Sequence, residues 1–528
     1  MTCWLALTAV TGYLFDAIGL GVQPWLSLAA GLGLAGTLTY FAARESEAGV
    51  ADAIAWLGIV VFVAATLLRM SWPSLLPPGR GPDLTHHLLL VDYIEQQHHL
   101  VHDRSLSGAM GEMAHYTPAS HLLAVMAGRW TGRDGLHTFF PLDALAAALT
   151  AGFVFLIARR ISLSLPFAIS ATALLFLPAQ YFFGAFTHDS FLAQTVSTLF
   201  AVAAWWALTA WEDLPVAALA SLIAIFLSAT FLSWPIWIGP PLFVFLAMSL
   251  NSRAGADVPP FRRSRLWHLL IVVLPLVVVF LLHSWDRWGW MVIVRTSGAV
   301  LHPSVSSLGW FLPLIAAIGV ICAMSDRRSR VTVVLLLVIG LQALTLFIIA
   351  KAQGADTPYM AFKMVYLAIY PMAVLGALAM ARLMGATPVA DSIGWVLAAA
   401  LVAAAARPAL ATPLAVPAVS EDLYHAGKWI RANVGSTCAD YLVSDPETAY
   451  WLHLAVLGNP RSTERMRELD RYDPRAAMAP WITAEGRSYA IADLRLLPAE
   501  IRSRVQILKQ IGNAAVISRP DATIKGCD

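Results

Sequence analysis

Charge is what this 528-residue chain has least of: Asp, Glu, Lys and Arg make up 13% of it, well below the roughly one quarter typical of soluble domains. With 58% apolar residues beside so few charges, water cannot keep it in solution, which excludes an ordinary soluble protein. A surplus of one sign is missing too. The net charge of +2 comes from short basic clusters between apolar runs, so no basic face is offered to nucleic acid. Cysteine is scarce: Cys3, Cys322, Cys438 and Cys527 are too few for a disulfide scaffold and lack the paired spacing of a zinc site. The first apolar run, 3–21, has no basic lead-in and is followed at once by another, so it reads as a retained helix rather than a cleaved signal. No internal repeat is visible, and the alanine-rich stretch 398–406 reads as plain lipid-facing helix.

Long apolar runs are what the chain has in abundance. Runs of about 20 residues, enough to cross a bilayer's hydrocarbon core, recur from Trp4 to Leu410 and number about 13. Basic residues mark alternate loops: Arg44; Arg159 and Arg160; Arg253, Arg262, Arg263 and Arg265; Arg327, Arg328 and Arg330; and Arg382. The positive-inside bias makes these loops, and the N-terminus, cytoplasmic. The alternation holds only if 119–130 does not cross, so that stretch is expected to lie in the interface. Residues 71–137 then form one large external loop, with 181–189, 285–306 and 351–362 on the same side. The fold expected is mainly α: a polytopic transmembrane helical bundle over 1–412, with interfacial helices in the first large external loop. A small soluble α/β domain, 413–528, follows on the external side. Within it 421–432 and 499–510 read as helices, and 439–443 and 514–518 as strands. Cys3 and Cys322 fall near cytoplasmic helix ends, so the only cysteine pair placed in an oxidising compartment is the one in the tail, and Cys438 and Cys527 are expected to pair.

The long loop carries the richest chemistry. After Pro82, the spacing of Leu84, Leu88, Val91 and Ile94 predicts an amphipathic helix with Asp83 at its N-cap. Free N–H groups and the helix dipole favour a carboxylate there, and capping alone explains Asp83 as well as a functional role does. Histidines crowd the loop: His86, His87, His98, His99, His102, His115 and His121. His98 and His102 are four apart, which predicts one helical face and a spacing that metal sites use. The histidine boxes of membrane di-iron oxidases are absent, however, and most of these side chains read as solvated at the interface. His86 and His87, beside Asp83, are the functional candidates. His188 and Asp189 stand between the expected fifth and sixth spans, where Asp189 is equally a helix cap. Were Asp83 and Asp189 to converge, they could hold Mg²⁺ or Mn²⁺ between them and so receive a phosphate-bearing substrate. Arg287, Arg295, Lys351 and Lys363 are external cations, either snorkelling anchors or phosphate contacts. Lys363, at an outer helix end with Tyr359 and Tyr366 near it, is the best placed of them for a phosphate.

In order along the chain these landmarks resemble the C-type superfamily of membrane glycosyltransferases, which includes protein mannosyltransferases, the aminoarabinose transferase and arabinofuranosyltransferases. Asp83 matches the acidic residue that opens the first large external loop. Tyr116-Thr117-Pro118-Ala119-Ser120-His121 is similar to the step before the second interfacial helix, Asp189 to the second acidic position, and 359–371 to a late helix start that carries a lysine. The resemblance covers about 71–383. Asp83 is followed by Leu84 and Thr85 rather than a second acidic residue, and two spans precede the expected first one. The resemblance implies a hexosyl- or pentosyltransferase in the bacterial inner membrane, serving the cell envelope. Its donor would be a sugar on a polyprenyl phosphate, its acceptor a glycan, lipid or protein on the periplasmic side, and Asp83 its general base. His86, His87, Tyr116, His188, Asp189, Arg287, Arg295, Tyr359 and Lys363 would surround donor or acceptor. The competing readings are a multi-pass transporter or lipid-linked-glycan flippase, and a non-catalytic assembly subunit. A transporter marks its midplane with ionisable or helix-breaking residues and repeats its halves; here the charged residues cluster in loops and at helix ends, although Pro240 and Pro241 interrupt one span.

Overall fold

The computed structural model describes residues 1–43, 49–79, 82–187, 191–251, 262–287, 300–385, 387–411, 417–461, 478, 481–483 and 487–520. Its helices are, in order, α1 (Thr2–Ala17), α2 (Pro24–Ala43), α3 (Val50–Leu68), α4 (Pro82–Gln97), α5 (Ser107–Met110), α6 (Ala119–Thr131), α7 (Gly135–Arg160), α8 (Leu165–Leu174), α9 (Ala179–Thr187) and α10 (Leu192–Thr209). They continue with α11 (Val216–Ser233), α12 (Gly239–Asn251), α13 (Arg262–Arg287), α14 (Val305–Leu308), α15 (Phe311–Ala323), α16 (Arg327–Ala352), α17 (Tyr359–Met384), α18 (Pro388–Ala411), α19 (Glu421–Asn433) and α20 (Pro446–Trp451).

Among the described residues six helices are long and apolar enough to cross a bilayer: α3, α7, α10, α16, α17 and most of α18. They become seven if α8 and α9, bent by 62° at their junction, make one broken span. Other runs expected to cross form shorter apolar helices, Ala217–Ser233, Pro235–Ser249, Leu269–Trp285 and Phe311–Ala323. One reason is visible at Trp234-Pro235, where proline lacks the N–H that would continue α11 and the helix breaks into a short 3₁₀ turn, Pro235–Ile238. The largely buried α7 sits at the centre, packed against α3, α6, α8, α10 and α17.

Two of the basic groups, 159–160 and 327–328, meet at one end of the bundle. Arg159 pairs with Asp52 at 2.9 Å, Arg160 and Arg328 both reach Asp213, at 2.6 and 2.7 Å, and Arg327 reaches Glu212 at 2.6 Å. These pairs tie the start of α3, the end of α7, the α10–α11 turn and the start of α16 together. The opposite end carries α4, α6 and the first turns of α7 and α17.

There α4 lies with Leu84, Leu88, Val91 and Ile94 all fully buried, each burial worth about 1.5–3 kcal/mol. Pro82 takes the first helical position, where its missing N–H costs nothing, so Asp83 lies within the first turn rather than at the cap expected for it. α4 ends at Gln97, and His98 has φ +57°. His98 and His102 therefore do not share a helical face. Instead His99 and His102 converge on buried Asp16, at 3.2 and 2.7 Å, and pin the loop to the end of α1. α6 has 13 residues, about 20 Å of helix, too short to cross. It ends at Gly132, whose φ of +69° suits a residue without Cβ.

The C-terminal residues form a four-stranded sheet of order β1-β2-β4-β3 from β1 (Ala439–Leu442), β2 (Tyr489–Asp493), β3 (Gln506–Ile511) and β4 (Ala514–Ser518). β1 and β2 are parallel and the other pairs antiparallel. One sheet face, with Tyr489, Ile491 and Val516, joins the core beneath α19; the other holds Leu442, Ala490, Ala492 and Ile517 against Trp481. The helix expected over 499–510 stops at Arg502, and Gln506–Ile511 is an edge strand whose backbone groups pair with β4. Cys438 is disulfide-bonded, while Cys3 and Cys322 are free; Cys527 lies outside the described residues.

Candidate functional site

Three charged contacts seat the C-terminal residues on the loop. Arg431 grips buried Asp92 of α4 at 2.7 and 2.9 Å, with Lys428 at 3.5 Å from the same carboxylate. Arg461 meets Glu112, and its backbone N–H donates to the Ala109 carbonyl at 2.7 Å. At the start of α7, His137 stands between Asp134 and Glu421, at 2.7 and 3.1 Å.

On this support α4 presents Asp83, His86 and His87. Asp83 is half exposed, while both histidines are buried rather than solvated. His86 Nδ1 donates to Glu112 Oε1 at 2.6 Å, and its Nε2 lies 2.6 Å from the Tyr450 hydroxyl. Burial alone would raise the Glu112 carboxyl, but the bond and charge of His86, with Arg461 beside it, bring it down to about 2. His87, one turn after Asp83, has Nε2 4.0 Å from Asp83 Oδ1 and Nδ1 2.9 Å from His121 Nε2. Its ring stacks on His121 with centroids 5.1 Å apart, and Tyr116 stands edge-on to both. Burial pushes both imidazoles below their ordinary value and the Tyr116 hydroxyl well above its own.

From the bundle, α17 adds Tyr359 and Lys363. Lys363 is 1% exposed. Its ammonium lies over the Phe191 ring, 5.0 Å from the centre of Tyr359 and 5.7 Å from those of Trp234 and Tyr366, an aromatic cage that stabilises a desolvated cation. Lys363 and Asp83 are both close enough to act electrostatically on His87, and Tyr359 and Asp83 on Tyr116. Asp83, His87, Tyr116, Tyr359 and Lys363 thus converge.

Trp234, part of the cage, also lines a cavity of about 640 Å³ walled by the apolar faces of α11, α12 and α13. His115, Tyr116, Thr117 and Met360 close the end nearest the loop. Its size falls within the range of small-molecule sites, its walls suit hydrocarbon, and its polar end adjoins the Asp83 and Lys363 cluster.

Other expected site residues fall elsewhere. His188, Asp189 and Arg295 lie outside the described residues, so the cation expected between Asp83 and Asp189 has no geometry to stand on. Among the described residues no three His, Cys, Asp or Glu side chains are grouped as a metal site needs. Arg287 is the last residue of α13. Lys351 is exposed and donates to the carbonyls of Ala355 and Asp356, closing the turn after α16. His121, Glu112, Tyr450, Arg461, Phe191 and Trp234 were not expected at the site. His121 was within reach of sequence reasoning, since α6 follows the Tyr116 step; no local pattern links Tyr450 to a histidine 364 residues earlier.

The sequence matches no family model and no curated protein. Among solved structures it is similar to the arabinofuranosyltransferase AftD from Mycobacteria, at 13% identity and a TM-score of 0.51, over 88% of this chain and 40% of that one. It thus spans well under half of AftD's length. It is also similar to ArnT from Cupriavidus metallidurans bound to undecaprenyl phosphate, at 14% identity and a TM-score of 0.49, over 91% of this chain and 100% of that one. A third likeness is to the oligosaccharyltransferase AglB from Archaeoglobus fulgidus in complex with an inhibitory peptide and a dolichol-phosphate, at 14% identity and a TM-score of 0.48, over 83% and 69% of the two chains. At such identities the likeness is one of architecture: this chain has the fold of the C-type membrane glycosyltransferases.

Proposed function

We propose that the protein is an integral membrane glycosyltransferase of the bacterial inner membrane, moving a sugar from a polyprenyl-phosphate donor to an acceptor on the extracytoplasmic face. The observation that carries this reading is the convergence of a half-exposed carboxylate, Asp83, with a caged lysine, Lys363, at the polar end of an apolar cavity. The fold shared with the arabinofuranosyltransferase AftD supports it. The basic end of the bundle faces the cytoplasm, which puts α4 and the sheet outside.

In this reading the prenyl chain occupies the cavity and its phosphate turns toward Lys363. Asp83 takes the proton of an acceptor hydroxyl as that oxygen bonds to the sugar's anomeric carbon. The bond from that carbon to the phosphate breaks, its electron pair leaves on the phosphate, and the charge gained there faces the lysine. Asp83→Asn keeps the size of the side chain and removes its basicity. Membranes carrying it should transfer no labelled sugar from polyprenyl-phosphate donors while the purified variant melts as the parent does; an active, well-folded variant would remove Asp83 from the chemistry.

A further inference from the structure

A second apolar cavity, of about 260 Å³, lies between α3, α8, α9 and α18, apart from the one beside Trp234. α3 packs on α7 and α18 on α8, which leaves the space between α3 and α18 unfilled. Phe176 and Phe183, on either side of the bend from α8 to α9, line it, and the exposed rings and branches of Phe62 and Val402 border it on the lipid side. Of the residues that line it only Thr66 and Thr172 carry a polar side chain, and both turn their hydroxyls back to carbonyls of their own helices. The walls therefore suit hydrocarbon.

From Ala55 to Leu67 the groove follows α3 for about 18 Å, a little more than half of a bilayer's ~30 Å hydrocarbon core. That is the depth of one acyl chain in one leaflet; a polyprenyl chain is several times longer and overruns it. Where α3 and α18 finish, the groove meets two exposed arginines. Arg69 comes two residues after Leu67, and its Nη1 reaches the Ala409 carbonyl of α18 at 3.5 Å, bridging the two walls. Arg407 stands in the last turns of α18, beside Ala406 of the groove. At the other end of the bundle Arg159, Arg160, Arg327 and Arg328 are each paired with a carboxylate. Arg69 and Arg407 have no carboxylate partner among the described residues. An arginine that only snorkels serves any lipid, whereas two unneutralised guanidinium groups at the mouth of a chain-length groove favour a phosphate and repel a headgroup's own cation.

We infer that this groove is a binding site for an anionic phospholipid, with one acyl chain between α3 and α18 and the phosphate against Arg69 and Arg407. The inference needs only that the bundle stands in a bilayer, and holds whether or not the chain transfers sugar. Its occupant braces the bent α8–α9 segment, whose Tyr181 packs on Tyr366 of the lysine's cage with ring centres 4.8 Å apart.

The test places the full-length protein in nanodiscs made from equal parts of dioleoylphosphatidylglycerol and dioleoylphosphatidylcholine, and native mass spectrometry counts the lipids it keeps. The parent should retain phosphatidylglycerol over phosphatidylcholine by about 25-fold, a factor of about five for each arginine. Arg69→Gln should bring that preference to about fivefold. Gly58→Leu fills the groove. Nothing lies within 4 Å of a Cβ built at Gly58, and leucine is the better helix former, so this variant should melt no lower than the parent and yet lose the retained lipid. Equal retention of the two lipids by the parent, or an unchanged preference in either variant, would overturn the site. Added polyprenyl phosphate should leave the phosphatidylglycerol in place; displacing it would assign the groove to the donor and overturn the inference too. No readout depends on sugar transfer, so the outcome is separate from that of the transferase reading.

Discussion

Lys363 offers the sharpest separation between a structural and a functional role. It is 1% exposed within four aromatic rings, and if its task is to receive a lipid phosphate, the interaction is strong and selective for the anion. Two unit charges about 4 Å apart interact by about 4 kcal/mol at an effective dielectric constant of about 20. With about 1.4 kcal/mol for each factor of ten, that is about 10³-fold in affinity. Lys363→Met keeps the length of the side chain and most of its packing but removes the charge. Replacing a buried charge with an apolar side chain is often neutral or stabilising, so the variant should melt no lower than the parent. The assay is competition for the purified protein in nanodiscs between a polyprenyl phosphate and the corresponding polyprenol. The parent should prefer the phosphate by up to about 10³-fold, and the variant should bind the two alike. A variant that melts normally and keeps the parent's preference would show that the lysine does not face the lipid phosphate.

Narrowing the cavity from its wall, as in Leu276→Trp, should lower kcat/KM for a long-chain donor by about tenfold more than for one with a short prenyl chain, because overpacking is felt only where the chain lies; equal effects on both would dissociate the cavity from the donor. Arg431→Ala leaves Asp92, 2% exposed, with Lys428 as its remaining cation among the described residues. It should cost about 3 kcal/mol, the low end for a broken buried pair, seen as faster hydrogen exchange over 421–433 and 506–518. His137 is the pH-sensitive contact. Burial would lower its pKa, but Asp134 and Glu421 outweigh that and raise it. The stabilisation is therefore complete below the unfolded value of about 6.5 and lost as pH rises through the raised folded value. Protease cleavage near α19 should quicken across that range in the parent and show no such dependence in His137→Gln.

The amphipathic helix at 82–97 was legible because Leu84, Leu88, Val91 and Ile94 recur at helical spacing, and water and apolar core impose that spacing wherever they meet. The same holds for the apolar runs and for the basic residues that marked one end of the bundle, since both report the solvent that each segment faces. Asp83 and Lys363 could be singled out because a charge beside an apolar run is costly enough to need a reason. The histidines could not be sorted in that way. His87 and His121 read as solvated or functional from their neighbours in sequence alone, and only packing of α4 on α6 buried them together with their rings stacked. The strand at 506–511 was misread as helix for a related reason: its edge position is defined by pairing with β4, which no local pattern records.

What the amino-acid order settled by itself was the medium each segment lives in, because transfer between water and hydrocarbon is a sum over neighbouring residues. What awaited the tertiary structure was which polar groups meet: His86 with Tyr450, Glu112 with Arg461, Asp92 with Arg431, and His87 with His121. Hydrogen bonds and ion pairs act over a few ångströms of space whatever the separation along the chain, so their partners emerge only when the chain has folded.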